Sequence, residues 1–260
     1  MKEFKAALKK FLPKIKDARD RNLNEADTRM RIRLLLSDVL GYDILEDITQ
    51  EHMVQGHYVD MTVKYKGQVK FFLEAKSVDT NLKDTHVYQA TNYAATAGVN
   101  LCILTNGIEY RLYNISWNKS KVDSTLAFSV NILDDPFEEA VERLWLLSRE
   151  SVRKGFIDKF IAEITSLSDR NLLQALMAPR VISSIRRELK DNTGHNVREE
   201  AVQKSIKKLF SDELYEIVKE CLKKPARPKA SKPEGEQPAA VNVSGSAEEK
   251  KAEAVIEQPI

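Results

Sequence analysis

One hairpin, residues 57–76, constrains the fold of this chain more than any other stretch. Its two halves, HYVDMTVKY and QVKFFLEAK, alternate apolar and polar side chains on either side of a glycine-containing turn. The pattern predicts antiparallel strands with Met61 opposite Leu73 and Val63 opposite Phe71, because this register alone makes the two apolar faces coincide. The connection is then three residues long, or a two-residue turn with a bulge.

The same register brings two carboxylates together on the polar face. Asp60 lies opposite Glu74, with Cβ atoms about 5 Å apart and Lys76 beside them, while Val59 stays on the apolar face. Two like charges this close are unfavourable unless a positive group compensates them. Mg²⁺ does so, since it binds one or two carboxylates together with waters and substrate phosphates. The residues alone leave two interpretations open: a metal site, or a solvated salt-bridge face of an ordinary sheet.

Composition limits the class of protein. The chain has 260 residues, of which 42% are hydrophobic and 31% charged, as in a soluble globular protein. No apolar run approaches the length of a membrane span, and the N-terminus lacks the apolar core of a secretory signal. Cys102 and Cys221 lie far apart in apolar surroundings, which predicts buried thiols of a reducing compartment, the cytoplasm. The histidines have no zinc-ligand spacing.

Charge is unevenly distributed although the net charge is only +2. Residues 1–33 carry eleven Lys or Arg against five acids, and residues 180–208 carry eight against four. Residues 34–150 carry ten against seventeen. The distribution suits an acidic metal pocket flanked by phosphate-contacting surfaces, and it also suits an ordinary mixed-charge surface.

Pattern and composition predict four parts. Residues 1–21 form a basic helix interrupted near Pro13, and residues 22–150 form an α/β domain with a mixed central sheet flanked by helices. Residues 151–223 are all-helical, and their basic side chains indicate a DNA-contacting module, a helical cap or an oligomerisation surface. Residues 224–260 hold five of the eight prolines and no aromatic residue, which predicts a disordered tail.

The first core helix, over residues 22–40, carries a third acidic candidate. Asn22 and Glu25 have the spacing of a capping box, which is the purely structural interpretation of Glu25. The functional interpretation is a third carboxylate near the metal. Glu25, Arg29 and Arg33 follow one another at intervals of four, so they share one face of this helix.

These elements, in this order, resemble the PD-(D/E)XK nuclease superfamily and, more narrowly, the N-terminal nuclease domain of type I restriction enzyme motor (R) subunits and free-standing relatives. The matching pieces, within residues 22–115, are NEADTR, VDM, LEAK, QATNYA and LTNG. An isolated D…ExK occurs on many surfaces, whereas the ordered set with QxxxY on the next helix is fairly specific. Val59 stands where the family often has proline, a position at which many members vary.

The resemblance implies a restriction-endonuclease-like fold and Mg²⁺- or Mn²⁺-dependent hydrolysis of DNA. It implies that Asp60, Glu74 and the carbonyl of Ala75 hold the metal. Lys76 would orient or activate the water, and Glu25 would complete the acidic site.

The resemblance also implies partners. Gln89, Tyr93 and Arg29 would contact the DNA, although Gln89 and Tyr93 alone are equally typical of a half-buried helix face. No G-x-x-x-x-G-K-[ST] sequence occurs, so ATP-driven translocation is not expected, and a protein partner would supply specificity or translocation. The oligomeric state stays open.

Two other functions remain compatible with the residues. One is a non-catalytic nucleic-acid- or protein-binding module that retains the nuclease fold. The other is an RNA or structure-specific nuclease, because a metal–phosphate site reads neither the base nor the sugar. A complete acidic and lysine set favours the enzyme, since a binding module has no need to keep repelling carboxylates together.

Overall fold

A computed structural model describes residues 1–54, 57–118, 121–212, 214, 215 and 218. Within these residues the chain forms nine helices and one six-stranded sheet. The helices are α1 (Lys2–Asp20), α2 (Glu25–Asp38), α3 (Asp84–Thr96), α4 (Phe137–Leu146), α5 (Arg149–Lys154), α6 (Phe156–Ser166), α7 (Asp169–Leu176), α8 (Pro179–Thr193) and α9 (Glu199–Lys207). The strands are β1 (Ile48–Val54), β2 (His57–Tyr65), β3 (Gln68–Ala75), β4 (Leu101–Thr105), β5 (Glu109–Asn118) and β6 (Lys121–Asn131).

The sheet is mixed, as the sequence predicts. Its strands lie in chain order from β1 to β6, and every neighbouring pair is antiparallel except β3 with β4. Parallel neighbours need a crossover connection, which α3 provides. The predicted α/β restriction-endonuclease-like class, with a helical C-terminal segment, is confirmed.

The hairpin register is also confirmed. Met61 lies opposite Leu73 and Val63 opposite Phe71. Leu73 and Phe71 are fully buried in the main core, as the apolar pattern requires. Period-two alternation was therefore sufficient to align β2 with β3 over this length.

The hairpin turn has two residues, which is the second of the two predicted connections. Lys66 and Gly67 form it with φ angles of +51° and +75°. Positive φ at both turn positions gives the backbone twist that matches the flanking strands. A register shift between Val63 and Lys64 supplies the accompanying bulge.

Helices cover both faces of the sheet. On one face α1, α2 and α4 bury a large core against the strands, including Ile32 and Leu144. On the other face α3 covers a smaller cluster that contains Phe72, Ala94 and Cys102. Asp60 and Glu74 therefore belong to strands that are enclosed between two helical layers.

Helix α1 runs without interruption through Pro13, so the predicted break is wrong. Phe4, Leu8, Phe11 and Ile15 are buried on one side of the helix, whereas Pro13 is exposed on the other. An interior proline costs a helix about 3 kcal/mol, and burying each such apolar side chain contributes about 1.5–3 kcal/mol. The packing of α1 on the main core outweighs the proline.

The C-terminal segment departs from the sequence expectation in one respect. The helix predicted over residues 152–166 is two helices, α5 and α6, because Gly155 adopts a left-handed conformation with φ of +69°. Helices α7 to α9 enclose a second core around Leu173, Ile182 and Ile206. None of the described helices is long and apolar enough to cross a membrane. The predicted tail and Cys221 lie outside the described residues, whereas Cys102 is buried as predicted.

Candidate active site at the open end of the hairpin

The Asp60 carboxylate occupies a hydrogen-bonding position of the sheet itself. The N–H of Lys76 donates to the carbonyl of Thr105 in β4, at 2.9 Å. Because successive N–H groups of a strand point in opposite directions, the N–H of Ala75 faces β2. There it donates to Oδ2 of Asp60, at 2.8 Å. The ladder of β2 with β3 begins one residue later, at Met61, so the carboxylate satisfies a main-chain donor at the open end of the hairpin.

The alternation of β2 breaks at this point, and the prediction for Val59 is wrong. Val59 packs with Phe72 and Cys102 on the α3 face, whereas Met61 packs in the main core on the opposite face. The physical reason is that β3 no longer pairs with β2 beyond Met61, so this part of the strand is held on the β1 side alone. Asp60 therefore lies at the edge between the two faces and is not confined to the polar face that alternation assigned to it.

From this edge Asp60 also reaches helix α2. Nη1 of Arg29 donates to Oδ1 of Asp60 at 2.8 Å. The side chains are largely buried, with exposed fractions of 29% for Arg29 and 13% for Asp60. Arg29 thus supplies a positive charge to the carboxylate at the place where the sequence predicted a cation.

Helix α2 begins at Glu25, and its cap differs from the predicted one. Asn24 accepts the N–H of Asp27 through its side chain, at 2.9 Å. Asn22 lies before the helix in a left-handed conformation with φ of +49°, so the predicted pairing of Asn22 with Glu25 as a capping box is wrong. Glu25 is half-buried at the helix start.

Glu74 is the most deeply buried carboxylate of the group. It is 8% exposed, and burial raises its pKa, opposed by a 2.6 Å hydrogen bond from Nζ of Lys76. The charges of Asp60 and Glu25 raise the pKa of Glu74 further. Burial by itself would lower the pKa of Lys76, but Glu74, Glu25 and Asp60 together raise it. The four predicted polar residues therefore form one electrostatic group in which Lys76 stays charged.

A second pair in the sheet shows which part of this arrangement is distinctive. Glu109 and Arg111 have the same spacing in the chain as Glu74 and Lys76, and the same 2.6 Å contact. An ion pair along one strand is thus an ordinary feature of this sheet. What sets Glu74 apart is its burial beside two further carboxylates.

The donor chemistry is compatible with Mg²⁺. Asp60 and Glu74 offer hard oxygen ligands. Burial, and then repulsion from Asp60 and Glu25, raises the pKa of Glu74, and a divalent cation would favour the charged carboxylate against both effects. Among the described residues no group of three or more His, Cys, Asp or Glu side chains is arranged as a metal cluster. Two carboxylates with waters and substrate oxygens suffice for this ion.

Asn106, within the LTNG stretch, positions the segment that follows β3. Its Nδ2 donates to the carbonyls of Val78 and Thr80, at 3.4 and 3.0 Å. Its Oδ1 accepts the N–H groups of Ile108 and Glu109, at 3.0 and 2.8 Å. One side chain thus joins the chain after β3 to the turn between β4 and β5. The motif marked this residue, but its role required the tertiary contacts.

Two predicted substrate residues and one unpredicted residue complete the inventory. Gln89 and Tyr93 belong to α3, but their side chains lie outside the described residues. Gln50 of β1 lies opposite Met61 and lines a cavity beside Asp60. Nothing in its local sequence singled out Gln50, and only the pairing of β1 with β2 brings it to the site.

Comparison with known proteins gives one match. Residues 24–126 match the family model described as type I restriction enzyme R protein N terminus. The matched segment runs from the N-cap of α2 into β6 and includes Glu25, Asp60, Glu74 and Lys76. Searches of curated proteins and of solved structures gave no match. The resemblance inferred from the sequence is confirmed for this segment, and it supports a nuclease-like role.

Proposed function

We propose, from the match of residues 24–126 to the type I restriction enzyme R protein N terminus, that the chain is a metal-dependent endonuclease hydrolysing DNA phosphodiester bonds in the cytoplasm. The observation that carries this proposal is the electrostatic grouping of Asp60, Glu74 and Glu25 around Lys76. Buried like charges cost free energy in folding, so their retention at one place favours a function for them.

Each residue of the group has a role in this chemistry. Asp60, Glu74 and the carbonyl of Ala75 would hold Mg²⁺ or Mn²⁺, which polarises a phosphoryl oxygen and lowers the pKa of a bound water. Lys76, held charged by its acidic neighbours, would orient the attacking water or stabilise the charge that develops on the phosphate. Glu25 would accept a hydrogen bond from a water of the site.

The substrate and partners follow from the same proposal. Gln89, Tyr93 and Arg29 would contact the DNA backbone. No Walker-type sequence occurs in these residues, so we propose that a protein partner supplies target recognition or translocation. The R-protein family of the matched segment supports both DNA as substrate and a partner subunit.

One observation favours a second candidate, a DNA-binding module that does not cut. Arg29 and Lys76 already bond to Asp60 and Glu74, so both carboxylates have a positive partner in the absence of metal. In such a module these pairs would be permanent. In the nuclease they would open when the cation binds.

The deciding experiment measures Mn²⁺ and Mg²⁺ binding by calorimetry, alongside plasmid nicking, for the wild type and Glu74→Ala. Glu109→Ala is the matched control, because it removes the acid of an equivalent strand pair away from Asp60. The nuclease proposal expects binding and nicking in the wild type and the control, and neither in Glu74→Ala. Binding of duplex DNA by a wild type that takes up no metal would establish the non-catalytic module instead.

A further inference from the structure

A small cavity opens beside Asp60 on the side of helix α2. Its volume is about 220 Å³. It is lined by Ala26, Arg29, Met30, Arg33, Gln50 and Asp60. Two guanidinium groups from one helix face therefore border a space that adjoins the candidate metal site.

Arg33 has unused hydrogen-bonding capacity in this cavity. Its Nε is inaccessible to solvent and has no hydrogen-bond partner within the described part of the chain. Its Nη1 makes one long contact, 3.4 Å, to Oε1 of Gln50. A buried donor without an acceptor destabilises a fold, so this arginine is poorly explained as a structural residue.

The charge of the cavity is positive. Arg29 is neutralised by its ion pair with Asp60, whereas Arg33 forms no ion pair with the acidic side chains that the structure describes. The cavity wall thus carries one uncompensated positive charge. A guanidinium presents a planar fork of N–H donors that matches two oxygens of a phosphate.

We propose that this cavity binds a phosphodiester group of the DNA strand, namely one next to the phosphodiester group that is cut. The two terminal nitrogens of Arg33 donate to the two free oxygens of that phosphate, while Gln50 orients the guanidinium. Asp60 borders both the cavity and the metal site, so a phosphate held here fixes the register of the strand relative to the reacting group. The identity of the ligand as DNA rests on the proposed function, whereas the anion site rests on Arg33.

The test is the salt dependence of duplex binding, measured by fluorescence anisotropy with EDTA present so that no cleavage occurs. Arg33→Gln is compared with Arg31→Gln, which makes the same charge change on the same helix. Arg31 bonds instead to Asp17 and to the carbonyl of Lys14, away from the cavity. Binding would be followed between about 50 and 200 mM KCl.

The proposal expects Arg33→Gln to weaken binding and to reduce the slope of log K against log[KCl] by about 0.9, the value for one phosphate contact. Arg31→Gln should leave the slope unchanged. Equal slopes for the wild type and Arg33→Gln, or no binding of duplex by the wild type, would overturn the proposal. Thermal melting of both variants checks folding, and Arg33→Gln should melt no lower than Arg31→Gln because it removes an unsatisfied donor.

Two further arms separate the possible failures. If inorganic phosphate raises the melting temperature of the wild type while Arg33→Gln keeps the wild-type salt slope of DNA binding, the cavity binds free anions and the DNA contact is refuted. If the wild type takes up no metal but its salt slope of DNA binding still depends on Arg33, the nuclease proposal is refuted and the phosphate site is retained.

Discussion

Replacing Arg29 by Met tests whether the charge of the candidate site is balanced as the structure indicates. Methionine keeps an unbranched apolar stem but removes the guanidinium that bonds to Asp60. The carboxylate would keep its bond to the N–H of Ala75 and lose its positive partner. The metal-free variant should therefore be less stable than the wild type, and a divalent cation should restore more stability to it.

The size of both effects follows from the burial of the pair. A hydrogen bond to a charged group contributes about 1.5–3 kcal/mol, and an exposed ion pair no more than about 1 kcal/mol. Arg29 and Asp60 are mostly buried, so we expect a loss of about 2 kcal/mol, which for a unit of this size is about 4–8 °C in melting temperature. Without the competing arginine, Mn²⁺ should bind roughly tenfold tighter, which at saturation adds about 1.4 kcal/mol.

The assay is thermal melting in EDTA and in a series of Mn²⁺ concentrations. Arg31→Met is the control, since the acid of its ion pair, Asp17, is 48% exposed, and such a pair should contribute less than about 1 kcal/mol. If Arg29→Met melted in EDTA no lower than Arg31→Met, or if Mn²⁺ raised both melting temperatures equally, the assigned charge balance of the site would be wrong.

Two further substitutions test the framework around the site. Gly107→Ala should lower stability by about 1–2 kcal/mol for its left-handed backbone, and further for a Cβ that would lie 3.2 Å from Cγ2 of Thr28. Gly67→Ala introduces the same backbone strain at a position where a Cβ would have no neighbouring atom within 4 Å. Equal losses in the free energy of unfolding of the two variants, measured by urea denaturation, would therefore exclude a cost from the contact with Thr28. Leu173→Ala should lower the free energy of unfolding of the helical C-terminal core by about 2–5 kcal/mol. This loss should be seen as faster proteolysis within α7 to α9. Exposed Leu172→Ala should change stability by less than about 0.5 kcal/mol, and matching proteolysis rates would contradict the placement of Leu173.

Local pattern was sufficient where one physical effect dominated. Burial of alternate side chains in β2 and β3 determines their register, so Met61 could be paired with Leu73 from the sequence. The glycine-containing connection determines a short turn for the same local reason. The mixed sheet followed from the order of strand and helix patterns, and the candidate carboxylates from the register.

Local pattern was insufficient where two effects compete. Pro13 disfavours a helix, yet four buried side chains of α1 keep the helix intact. Asn22 and Asn24 both qualify as caps by composition, and only the path of the chain into α2 selects Asn24. In each case the deciding free energy comes from packing against distant segments, which a window of sequence does not contain.

The sequence by itself determined that Asp60, Glu74 and Lys76 lie close together, because the apolar faces of one hairpin permit a single alignment. Only the tertiary structure decided how Asp60 is held. Its partners are the N–H of Ala75 and the guanidinium of Arg29, one at the end of a ladder and one on a helix from outside the hairpin. Alternation describes side chains within a strand that is paired on both sides, and Asp60 lies just beyond the last pair of β2 with β3, so its direction depends on the elements that meet there.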